Sequence, residues 1–345
     1  MSMKSKRNAG TKRPDARTCV IFPGALGDFI CFLPALRVLA ERAPLNLLAQ
    51  SRFADIAPEN VTVWSLERPE IGKLFAGGSL EDESAKSFFG AYDAVYSWLG
   101  SRSEGFAARL QALAGSRAQL FPFRPPTPQG HQVDYYLRCL NRGEVSAGQP
   151  MIALRREAIV WRKDFWTRHG LDQRPVMAIA PGSGAREKNW PEDFFRSVVE
   201  WWGEAMGGVV ILLVGPVEKE RGGIERLRCS CLVVGDLRLS EAAALLSRCA
   251  VYLGNDSGMS HLAAAVGVRT VALFGPSDAR QWAPRGANVT VMRQSIACSP
   301  CPEPTMKSCP HRACLRELLP SEVIRILAAL PEVVTLTRYG AGITV

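Results

Sequence analysis

No run in this sequence reaches the ~18 uninterrupted apolar residues of a membrane span, so no segment is expected to cross a bilayer. The amino-terminal stretch MSMKSKRNAGTKRPDAR lacks the apolar run of a secretory signal. The expected compartment is therefore cytoplasmic, where the ten cysteines stay largely reduced. Basic residues are not interleaved with aromatics, which removes the usual footprint of a nucleic-acid binder. Residues 1–17 hold six Lys/Arg against one Asp, so more than half of the net charge of +9 lies in a tail expected to be disordered. Such a tail can touch anionic lipid by electrostatics, or simply stay solvated. No G-x-G-x-x-G follows an apolar run, which argues against a nicotinamide-dependent oxidoreductase. No two aspartates are separated by a single residue, so an Asp-x-Asp metal pair is missing too.

What is present is a soluble α/β pattern. At 345 residues with 47% hydrophobic and 22% charged positions, the chain is long for one core and comfortable for two. Strand-like runs alternate with helix-length amphipathic segments, the signature of parallel α/β architecture. The first series runs through TCVIFP, LNLLAQ, VTVWSL, DAVYSWL and AQLFPF, and the second through VMAIAPGSG, VVILLVGP, CLVVGD, VYLGNDSG and TVALFGPSD. Two doubly wound, Rossmann-like domains are expected, facing each other across a cleft. They cover 18–145 and 170–345, with an inter-domain passage at 146–169.

In such sheets ligands bind beyond the carboxyl ends of the strands. Three strand-to-helix turns stand out there. The first, FPGALGD, places Gly24 and Gly27 around a tight turn and Asp28 at a helix start, either as a capping acid or as a general base. The second, APGSGAREKNWP, offers Ser183 and Gly184 in a flexible turn and Lys188 as a mobile point charge suited to a diphosphate. Pro191 is expected at the first helical position, with Trp190 packed beneath it. The third, GNDSGMSH, sets Asp256, Ser257 and Gly258 before an alanine-rich helix, where they either cap it or face an anion. His261 on that helix is either a core histidine or a cleft residue.

Downstream, Cys298, Cys301, Cys309 and Cys314 are spaced C-x2-C-x7-C-x4-C. Three readings stay open: a structural zinc or iron–sulfur site, packed reduced thiols, or disulfides.

The ordered motifs PGALGDFICFLPALRVL, APGSGAREKNWP and LGNDSGMSHLAAAVGVRTVALFGPSD resemble glycosyltransferase family 9, the ADP-heptose:lipopolysaccharide heptosyltransferases. The resemblance runs over about residues 18–330. It implies a GT-B fold and inverting sugar transfer from a nucleotide-diphosphate sugar, an ADP-heptose-like donor, to a lipid-linked glycan acceptor at the cytoplasmic face of the inner membrane. By the same resemblance Asp28 matches the proposed base, and Ser183, Gly184, Lys188, Asp256, Ser257, Gly258 and His261 match the donor side. Glu218, or its neighbour Glu220, falls where the family places an acid on the donor nucleoside. No catalytic cofactor is implied. Helix N-termini and Lys188 would then offset the leaving-group charge. Two rivals remain: a GT-B enzyme using another nucleotide sugar in a different glycan pathway, and a non-catalytic nucleotide-sugar binder. Asp28 speaks against the second, since a binder needs no base.

Overall fold

The computed structural model describes residues 17–76, 83–127, 130–140, 148–215, 222 and 224–330. Nearly all of the basic tail, as well as Glu218 and Glu220, lies outside these residues. The chain divides into two units: residues 1–23 with 35–126, and residues 24–34 with 127–345.

The first unit holds a five-stranded parallel sheet in the order β3-β2-β1-β4-β5. Its strands are β1 (Thr18–Ile21), β2 (Leu45–Ala49), β3 (Val61–Ser65), β4 (Ala94–Ser97) and β5 (Ala118–Leu120). β1 pairs with both β2 and β4, and all four of its residues are buried. Burial on both faces is why it reads as a continuous apolar run and not as an alternating one. Ile21, Leu48, Phe89, Val95 and Phe106 form part of one core beside this sheet.

A six-stranded parallel sheet in the order β11-β10-β9-β6-β7-β8 makes the second unit. Its strands are β6 (Val176–Ala180), β7 (Val209–Val214), β8 (Leu232–Gly235), β9 (Val251–Asn255), β10 (Thr270–Phe274) and β11 (Val289–Arg293). Counted from its own first strand, this is the doubly wound order 3-2-1-4-5-6 read in reverse. The direction of winding changes between β6 and β9, which pair with Ala180 opposite Gly254. Ligands of such sheets sit outside the carboxyl ends of the strands at that switch point. The edge strand β11 was not anticipated from sequence. It alternates between half-buried and exposed residues and ends in Arg293, so its apolar signal is weak.

The helix Glu192–Met206 shows how the sequence builds the second core. Phe195, Val198, Val199 and Trp202 recur at helical spacing and are the buried set. Glu192 and Asp193 occupy the favourable first turn, and Gly207 closes the helix in the left-handed conformation at φ 56°. Pro191 stands at the N-cap, one residue before its expected place. Among the described residues no helix is long and apolar enough to cross a membrane.

Trp202 is fully buried and its Nε1 donates to Pro175 O at 3.3 Å. Trp202→Ala removes the largest side chain of that helix face and should cost about 3–5 kcal/mol. Urea unfolding followed by circular dichroism should show a clearly lower midpoint; an unchanged midpoint contradicts this packing.

Candidate functional site

Both turns at the switch point of the second sheet are held by internal hydrogen bonds. After β6 the chain runs through Pro181–Gly184 into a short 3-10 turn, Arg186–Lys188. The Ser183 hydroxyl is buried within this loop, within 2.6 Å of both Ala185 O and Asn189 Oδ1, and it accepts the Ala185 N–H. Ser183 thus shapes the loop with its side chain. Gly184 is exposed, and a Cβ added there would meet nothing. Asn255, at the end of β9 and fully buried, braces the same loop at two points. Its Nδ2 donates to Pro181 O at 2.6 Å, and its Oδ1 accepts the Trp190 N–H at 2.9 Å. Trp190 packs edge-on against Phe194 and Phe195 and donates from Nε1 to Leu318 O at 2.8 Å. The sequence motif contains Asn255, but only the fold reveals its bracing role.

Lys188 reaches from the first of these turns to the second. Its Nζ lies 2.7 Å from Asp256 Oδ2, with the lysine side chain 29% exposed and the aspartate 9%. One ammonium proton is committed to Asp256, and two remain for another acceptor. Ser257 follows at the N-cap position of the helix Gly258–Val266 but makes no side-chain cap bond. Its Oγ is buried without a hydrogen-bond partner. The sequence expectation of a side-chain cap is therefore corrected at this residue. Ser257 has φ −149° and ψ 163°, and its carbonyl, not its hydroxyl, accepts from the helix. A second buried hydroxyl without a partner, Ser277 Oγ, lies just beyond β10, the strand beside β9. The sequence run TVALFGPSD contains it, but no part was assigned to Ser277.

The segment Gly24–Pro34 belongs to the same unit. It contains the start of helix α1 (Leu26–Ala40), where Asp28 sits in the first turn and accepts the Ala25 N–H at 3.2 Å. Asp28 therefore caps its helix while staying half-exposed. Gly258 is pressed on the same helix start: a Cβ there would fall 2.8 Å from Leu26 Cβ and 3.0 Å from Gly27 N. Gly27 in turn faces His261, whose Cδ2 would lie 3.2 Å from an added Cβ. Gly24, beside Ala25, is buried. Two helix starts, each with its partial positive charge, thus meet through a pair of glycines that no larger residue replaces without movement.

His261 is buried among these groups. Burial pushes its imidazolium down to about 4 from the ordinary 6.5, despite the attraction of Asp256 and Asp28; His131 and Lys188 push it further down. His131, missed in the sequence, is itself lowered mainly by burial. Its Nδ1 accepts the Val133 N–H at 3.2 Å and its Nε2 donates to Ala283 O at 2.8 Å. Nearby, Asp134 forms a two-pronged pair with Arg285 at 2.7 and 2.8 Å, which holds its carboxyl below the ordinary range.

The four cysteines at 298–314 are all free thiols, and the disulfide reading falls. Among the described residues no group of three or more His, Cys, Asp or Glu is arranged to hold a metal ion. Beyond the effect of burial, the four thiols nonetheless lie close enough to raise one another's proton affinity at Cys301 and Cys314. Cys301 Sγ donates to Cys298 O, Cys309 Sγ accepts the Arg312 N–H, and Cys314 lies in the core. This segment instead braces the site loops: Ser299 Oγ donates to Gly275 O at 2.6 Å, Cys301 N to Pro276 O at 2.8 Å, and Arg312 Nη1 to Arg186 O at 3.2 Å.

A family model described as glycosyltransferase family 9 (heptosyltransferase) matches residues 124–310, more than half of the chain. The chain belongs to glycosyltransferase family 9. A lipooligosaccharide heptosyltransferase 2 from Campylobacter jejuni is 39% identical over 161 residues, which cover 44% of this chain and 49% of that protein. The matches to this relative and to a second, from Haemophilus influenzae, span about half or less of those proteins' own length. Among solved structures, a family 9 glycosyltransferase from Veillonella parvula gives a TM-score of 0.72 at 21% identity, covering 95% of this chain and 99% of that one. The Escherichia coli ADP-heptose lipopolysaccharide heptosyltransferase II gives 0.69 at 18%, covering 94% and 100%. The fold is thus the GT-B architecture of these family 9 neighbours, with two Rossmann-like parallel sheets.

The His261 environment in this family 9 protein sets a pH dependence. An imidazole that titrates at about 4 folded and 6.5 unfolded binds fewer protons in the native state between those values. Its contribution to stability is complete above about pH 6.5 and is lost as pH falls through about 4, with His131 acting in the same sense. Replacing His261 with Gln should flatten the melting temperature against pH across that window. An unchanged slope contradicts the neutral buried imidazole.

Proposed function

We propose that this protein transfers a heptose-like sugar, with inversion, from an ADP-linked donor to a lipopolysaccharide-core or other lipid-linked glycan acceptor. Family membership and the names of the relatives support the reaction class. The observation that carries the reading is the Lys188–Asp256 pair, 2.7 Å long, at the switch point beside a helix start whose Ser257 side chain forms no cap. A diphosphate takes up what that arrangement leaves open: two ammonium protons, the helix-end N–H groups and the Ser257 hydroxyl. Gly184 leaves open space there, and His261 lies one turn further along the helix that starts at Gly258.

In the transfer, the acceptor hydroxyl oxygen forms a bond to the anomeric carbon while the bond from that carbon to the diphosphate oxygen breaks. The hydroxyl proton passes to the Asp28 carboxylate, and ADP departs with its added negative charge. Lys188 and the partial positive charge of the helix Gly258–Val266 stabilise that charge where it develops. The step as proposed requires no metal, so it should persist in chelator. Glu218 is kept as the proposed contact to the donor nucleoside. A lipid-linked acceptor would bring the protein to the cytoplasmic face of the inner membrane as a peripheral enzyme.

Asp28→Asn tests the assignment without removing the cap, because the amide oxygen still accepts the Ala25 N–H. Transfer should fall by about 100-fold or more, as expected when a general base is lost, while ADP affinity measured by calorimetry stays within about twofold. Wild-type transfer rates in this variant would overturn the role of Asp28. A purified protein that binds UDP or GDP in preference to ADP would move it to another glycan pathway.

A further inference from the structure

The neutral imidazole of His261 has one nitrogen that donates and one that accepts, and the structure contains a group that decides which is which. Cys31 lies one turn after Asp28 on α1, on the same face of the helix. It is 1% exposed, and its Sγ is 3.6 Å from His261 Nδ1, a buried contact between residues 230 positions apart. The opposite edge of the ring lies against Gly27: an added Cβ there would meet Cδ2 at 3.2 Å and Nε2 at 3.6 Å. The imidazole is therefore held between a thiol at Nδ1 and Gly27, in the first turn of α1, at its Cδ2–Nε2 edge.

We propose that Cys31 is a positioning residue that fixes His261 in the Nε2-protonated tautomer. A thiol donates a hydrogen bond better than it accepts one, and a bare imidazole nitrogen is a good acceptor. An S–H donating to Nδ1 leaves the ring proton on Nε2, on the edge that faces Gly27. His131 reaches the same tautomer by different means, with a backbone N–H on Nδ1 and a backbone carbonyl on Nε2. His261 is instead oriented by a side chain carried on the helix of the proposed base. Titratable groups facing the ring are Asp256 on the turn before its own helix, Asp28 on α1, Lys188 on the loop after β6, and His131. The ring stays neutral among them, so its Nε2–H is a neutral donor on the edge that faces Gly27, the residue before Asp28. This deepens the proposed transfer and, for its kinetic part, rests on that reading.

Nitrogen-15 NMR of histidine side chains in the ligand-free full-length protein tests the tautomer directly, with the His261 signals assigned by their loss in His261→Gln. The wild-type protein should show a protonated Nε2 and a bare Nδ1. Cys31→Ser, which keeps a donor, should retain that pattern, and Cys31→Ala should give a mixture of tautomers. With an ADP-heptose donor, Cys31→Ala should lower kcat several-fold with donor KM nearly unchanged, and Cys31→Ser should restore most of it. A wild-type His261 protonated at Nδ1, which needs no variant to fold, overturns the proposal. So does a Cys31→Ala spectrum identical to wild type. If the tautomer pattern holds and no transfer is found with any nucleotide sugar, the functional reading falls and the positioning role of Cys31 stands.

Discussion

The ion pair between Lys188 and Asp256 is the contact on which the rest of the second unit's site depends. It ties the turn after β6 to the turn after β9, the two strands between which the winding of the sheet reverses. Asp256 is nearly buried, so its charge needs the lysine close by. The lysine in turn is held at the mouth of the switch point, where a freely rotating side chain would sample many positions. Asn255, one residue earlier, fixes the two ends of the loop that carries Lys188 through its Pro181 and Trp190 bonds. Charge placement here follows from backbone placement, and backbone placement follows from one buried amide.

Beside that pair, two helix starts approach each other through Gly27 and Gly258. The absence of two Cβ atoms brings the N-terminal turn of α1, with Asp28, against the helix that follows Asp256. A carboxylate able to take a proton and a cationic group able to hold a leaving diphosphate are thereby collected in one unit. His261 fills the angle between them and stays neutral because it is buried. A charged ring there would have to be accommodated in the same space as Lys188.

Most of the fold was legible because parallel strands buried on both faces write themselves as unbroken apolar runs. VMAIA, VVILLV and TVALF could be placed by inspection, whereas the edge strand VTVMR, buried on neither face, could not. The three turns were visible as motifs, and the structure places Asp28, Lys188, Asp256, Gly258 and His261 in one unit. Their neighbours were not legible. Asn255 and His131 reach partners far along the chain, Pro181, Trp190 and Ala283, and Ser277 carries a buried hydroxyl without a partner; no local spacing encodes either. The cysteines show the converse. Their spacing left metal, packed thiols and disulfides open; in the structure they are neighbouring free thiols, and their segment braces the loops that hold Arg186 and Gly275.

The central claim is that the Lys188–Asp256 turn pair receives a diphosphate. Isothermal titration of ADP and AMP into the wild-type protein and into Lys188→Met tests it most directly, because the two nucleotides differ only in the second phosphate. The account predicts that the wild-type protein binds ADP far more tightly than AMP, and that Lys188→Met loses most of this difference while its affinity for AMP barely changes. Equal affinities for ADP and AMP in the wild-type protein, or a difference that survives in Lys188→Met, would contradict it.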